Sequence, residues 1–167
     1  MAVQMRTRCL AARGHRVAIL SPDAVAVPGI EVLAPSAGHR NVMRRVLSYL
    51  QMIVLLWRWR ADVVVVHFGA QPFAWLLPLI WFKPFAVSVM GGDILFHQTS
   101  HFSPRRRRAT LSLLEISDRV ISMSDYLIAP YPKLHSRSLI TPWGIDFEQF
   151  AATTDTAVSQ RRARRWS

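Results

Sequence analysis

The sequence predicts an α/β fold in which a mostly parallel, Rossmann-like sheet carries helices on its faces. Two observations predict it. Short β-branched runs alternate with longer helical segments along the chain, the order of a parallel sheet built from βαβ units. The clearest runs, DVVVVH at residues 62–67 and FAVSVM at 85–90, are continuous rather than alternating. Strands buried on both faces read that way.

Residues 2–12 read as a helix ending at Gly14, a C-cap residue. Arg16 to Leu20 and Ile30 to Leu33 are short strands, the first stopped by Ser21-Pro22. Residues 41–59 place Val42, Val46, Leu50, Ile53, Val54 and Trp57 on one helical face, with Arg44, Arg45, Ser48, Gln51 and Arg58 largely elsewhere. Residues 71–82 form a helix kinked or split at Pro78. Ser103 and Pro104 fit N-cap and first position of a helix running to Ile116. Arg119 to Met123 is a strand, Ser124 caps a short helix stopped by Pro130 and Pro132, and Ser138 to Thr141 is a last strand. Residues 1–150 make one domain, and 151–167 a polar, Arg-rich tail expected to be disordered.

The apolar fraction of 51% suffices for a core, and the net charge of +11 favours polyanions such as anionic lipid, phosphorylated substrates or nucleic acid. Most tryptophans lie in apolar runs rather than among the arginines, which disfavours nucleic acid. Cys9 is the single cysteine, so no intrachain disulfide forms, in keeping with a reducing compartment. Pro72 to Met90 has the length of a membrane span, but Lys83-Pro84 breaks it, and helix, turn and buried strand is the preferred reading.

Ligands of open parallel sheets sit outside the carboxyl ends of the strands. Four polar or Gly-rich exits fall there: His67-Phe68-Gly69, Gly91-Gly92-Asp93, Ser124-Asp125 and Trp143-Gly144. His67 is a pocket residue or a loop histidine bonded to backbone. Gly91 and Gly92 admit a ligand close to the backbone or serve a turn of positive φ. Asp93 holds acceptor hydroxyls, acts as a base, or caps the following segment. Asp93, His97 and His101 share the spacing of a helical metal site, but no helical pattern flanks them, and no metal is expected. Arg105 to Arg108 fall in a first helical turn, where the dipole disfavours cations. That argues against a role in local stability, leaving a solvated face or contact with anionic lipid or a phosphorylated acceptor.

Five phrases in order extend this reading. AARGHRVAILSP, ADVVVVHFGAQPFAWLLP, KPFAVSVMGGDIL, SDRVISMSDYL and TPWGIDFEQF cover roughly residues 7–150. They resemble the successive motifs of the N-terminal domain of family 4 glycosyltransferases, enzymes of two-domain GT-B architecture. The resemblance implies a retaining transfer of sugar from a nucleotide-sugar to a glycan, lipid-linked or small-molecule acceptor, without a metal. This half would supply the acceptor side through His67, Phe68, Gly69, Gly91, Gly92 and Asp93, with Asp93 the catalytic candidate. Ser124, Trp143, Gly144 and Asp146 would face the second domain. It also implies a chain incomplete at both ends. The family's first strand and Gly-rich turn would precede Met1, and the domain that chiefly binds the nucleotide-sugar would follow. Met90 and Val65 stand where the family often has histidines. A cytoplasmic place, peripheral on the inner face of the membrane through Arg105, Arg106, Arg107 and Arg108, is expected. The competing expectation is a non-catalytic basic module or gene remnant that binds anionic lipid or nucleic acid.

Overall fold

The computed structural model describes residues 2–22, 26–36, 41–96 and 102–142. Helix α1 (Ala2–Ala12) leads into strands β1 (Ala18–Leu20) and β2 (Glu31–Leu33). Helix α2 (Val42–Trp59) follows, then β3 (Val64–His67), α3 (Pro72–Ile80), β4 (Phe85–Val89) and α4 (Pro104–Ile116). Strand β5 (Arg119–Ser122), α5 (Asp125–Ile128), a 3₁₀ turn (Pro132–Arg137) and β6 (Ser138–Ile140) complete it. The class is the one the sequence predicts: parallel strands joined by helices. Pro72 to Met90 is helix, turn and strand, and no helix among the described residues is long and apolar enough to cross a membrane.

The strands form two separate sheets. β1 pairs with β2, and β3-β4-β5-β6 form a second sheet in that order. Among the described residues no strand pairs with the outer side of β1 or of β3. Parallel crossovers are right-handed, and β3, β4 and β5 are each followed by a neighbour in the same direction, so α3 and α4 cover the same face. Accordingly α3 packs on α4, and α4 on the 3₁₀ turn. Phe85, Val87 and Val89 point into this layer and meet Leu77, Leu113 and Leu114, all buried. Ala86 and Ser88 point to the other face, where Arg6 of α1 donates to Ser88 Oγ at 3.1 Å.

Two local expectations, at Gly14 and Ser103, hold, and the expected Ser124 cap does not. Gly14 ends α1 with φ 86°, and Ser103 Oγ accepts the Arg106 N–H at the start of α4. Ser124 precedes α5 but makes no side-chain capping bond; it is its backbone N–H and carbonyl that bond Ser122 Oγ.

Two expectations are corrected. β3 is not buried on both faces: Val63 and Val65 are 56% and 39% exposed, because β3 is an edge strand. Helix α2 turns the opposite way from its predicted apolar stripe. Ser48, Met52 and Leu56 pack inward, while Val42, Val46, Leu50, Val54 and Trp57 face solvent. Apolar residues lie nearly all round this helix, so periodicity alone does not choose the buried side.

Candidate functional site

The loops leaving β3 and β4 meet at the carboxyl edge of the larger sheet, and Asp93 joins them. Its carboxylate is fully buried. One oxygen accepts the Gly69 N–H at 3.0 Å and the other the Met90 N–H at 2.9 Å. These bonds go to residues before Asp93, not to the following segment that the capping alternative named: Asp93 fixes its own turn and the neighbouring one together. Burial pushes its carboxyl above the usual carboxylate range, opposed by the N–H groups of Met90 and Gly69.

Each loop has further ties. Trp75 Nε1 donates to the Gly69 carbonyl at 3.1 Å, and Tyr131 Oη to the Ile94 carbonyl at 2.7 Å. A Cβ on Gly69 would stand 3.0 Å from Cγ1 of the buried Val87, which would have to give by a few tenths of an ångström for this loop to lie on β4. Gly91 holds φ 98° and supplies the positive-φ turn. Phe68, with a side chain, also has positive φ, at 66°; an unfavourable backbone of this kind persists only where its surroundings hold it. Gly92 is the exposed member of the pair.

His67 sits in register with Ser88, on the face that Arg6 reaches. Burial, reinforced by the Arg6 charge, lowers its pKa to about 4, so the imidazole is neutral near pH 7. Its Nδ1 is buried without a hydrogen-bond partner, as is Arg6 Nη2. The sequence reading missed Arg6, because nothing in an exposed-looking helix of mixed polarity marks one arginine as reaching the strand exits.

The four arginines of α4 divide. Arg106 donates through Nε and Nη2 to the Ala70 carbonyl at 3.2 and 3.0 Å and stacks on Phe102, 4.4 Å from its ring centre. It therefore has the local structural role that the helix dipole had argued against: two hydrogen bonds to one carbonyl outweigh a dipole effect of about 0.3–1 kcal/mol. Arg107 lies 5.2 Å from the Phe96 ring centre. Arg105 and Arg108 are exposed around a surface hollow on α4. Trp143, Gly144, Asp146, His97, His101 and the Arg-rich tail lie outside the described residues, and no metal-binding cluster occurs among those described.

His67 predicts a pH dependence. The unfolded chain takes up the histidine proton as pH falls through 6.5, whereas the folded chain resists until about pH 4. Stability should therefore drop by about 2 kcal/mol between pH 7 and pH 5, by linkage. Urea midpoints should shift accordingly, and His67→Gln should flatten that slope. An unchanged slope would show that His67 titrates normally.

The sequence matches no protein-family model and no curated protein.

Proposed function

We propose that this chain supplies the acceptor side of a retaining glycosyltransferase, with a glycan, lipid-linked or small-molecule acceptor and a nucleotide-sugar as co-substrate. The observation that supports the reading best is the rim formed by two strand exits. Asp93 binds the turn at Gly91-Gly92 to the turn at Phe68-Gly69. Ligands of parallel sheets sit outside such exits. Here the exposed Gly92 presents backbone suited to sugar hydroxyls, and the neutral, half-buried His67 stands at the neighbouring strand exit. Asp93 has both oxygens engaged, so its part is to position the loops. The donor's phosphates would be stabilised chiefly by a second domain, and no metal enters the reaction.

The test is an NMR titration of the full chain with a panel of oligosaccharides. Amide signals of Gly69, Gly91 and Gly92 should move on binding, and the chain by itself should transfer no sugar from any nucleotide-sugar. Shifts confined to other surfaces, or none across the panel, would discard the acceptor reading. The competing reading, a basic module without catalysis, draws its support from a different surface.

A further inference from the structure

We propose that the outer face of α2 and α3 seats on an anionic lipid surface. Val46, Leu50, Val54 and Trp57 form one stripe along α2 and are 50%, 54%, 62% and 47% exposed. Leu79 of α3 and Phe82 beyond it, 74% and 83% exposed, widen the stripe sideways. The two helices adjoin here: the Trp57 and Phe82 ring centres are 6.3 Å apart, and those of Tyr49 and Phe73 6.0 Å. The core does not use this face, since α2 docks through Ser48, Met52 and Leu56. A broad apolar surface of this kind marks a contact with another phase or molecule.

Charge selects the occupant. Helix α2 contains no Asp or Glu, and α3 contains no charged residue at all. Arg44 and Arg45 stand at the start of the stripe, with Arg58 and Arg60 at its end, all exposed. The two acids beside this face are each paired with another cation: Asp62 with Lys83 at 3.6 Å, and Glu31, which accepts from Trp59 Nε1 of α2 at 2.8 Å, with Arg16 at 3.6 Å. An apolar stripe bracketed by unopposed arginines is the pattern of a helix lying in a bilayer interface, where anionic headgroups meet the guanidinium groups. Trp57 and Phe82 supply the large rings such helices place at headgroup depth. Because α3 packs on α4, the exposed Arg105 and Arg108 lie in the adjoining helix of the same layer and add to its charge. This inference stands apart from the acceptor reading and concerns a different surface.

Vesicle flotation of the full chain tests it. The chain should float with vesicles containing an anionic phospholipid, bind zwitterionic vesicles far less, and dissociate as salt is added. Val54→Gln with Leu79→Gln, both at exposed positions, should weaken partitioning at least about tenfold while leaving the circular dichroism and urea midpoint unchanged. Arg44→Gln with Arg45→Gln and Arg58→Gln should weaken it comparably, folded as before. Equal binding by the Val54/Leu79 variant and the parent would overturn the proposal. So would loss of binding only on replacing Arg105 and Arg108, which would assign the contact to α4. Absence of flotation, with a dimer that Val54→Gln and Leu79→Gln dissociate, would assign the face to a second copy of the chain.

Discussion

Replacing Asp93 with alanine should destabilise the chain by about 2–4 kcal/mol and loosen both loops of the candidate site at once. The carboxylate is the shared acceptor for the Gly69 and Met90 N–H groups, in a place from which water is excluded. Alanine leaves both donors unpaired, and a buried donor that loses its partner costs roughly 1–3 kcal/mol. The gain from no longer burying a carboxylate offsets part of this, which is why the expected loss lies below the sum. Asparagine is not a neutral replacement: its amide offers one oxygen, so one of the two N–H groups would face an NH₂. Urea unfolding gives the magnitude, and amide exchange at Gly69 and Met90 gives the location. A variant with parental stability and unchanged exchange at both amides would show that Asp93 does not join the turns.

The sequence made the larger sheet legible because its strands are short, β-branched and punctuated by Gly, Pro and Ser. Val64–His67, Phe85–Val89 and Arg119–Ser122 fall inside the runs that predicted them. The rim was legible for the same reason, since Gly69, Gly91 and Asp93 follow directly on those runs. What Asp93 touches was not legible. Its bond to Gly69 spans 24 positions and depends on how the crossover through α3 brings β3 and β4 into register. The buried side of α2 was misread because Ser48 lies inside while Val54 lies outside, against the polarity of both. That inversion is understandable if the outer face has its own apolar partner. Arg106 was misread because the dipole argument concerns the helix alone, while its bonds go to Ala70 in another loop.

The break between the two sheets should divide the molecule's stability. Strands β1 and β2 have three residues each, pair only with one another among the described residues, and are at best half buried. An isolated two-stranded unit is marginal in water. By contrast β4 is buried along its whole length between β3 and β5, and Val87, Val89 and Val120 are almost wholly shielded. Along β3 the Val64 and Phe68 N–H groups donate towards β4, so by alternation those of Val63, Val65 and His67 point to the open side. With Val63 and Val65 exposed, water reaches part of this edge, and the consequence is local opening rather than loss of the larger sheet. Opening free energies within one protein run from near zero to the global value. Hydrogen exchange should therefore find the Ser21 amide, bonded to the Leu33 carbonyl, at least about a hundredfold less protected than the amides of β4 and β5. The thermal transition should be broad, with the β1-β2 unit lost before the four-stranded sheet. Equal protection in β1 and β4, together with one sharp transition, would mean that the two sheets unfold as a single cooperative body.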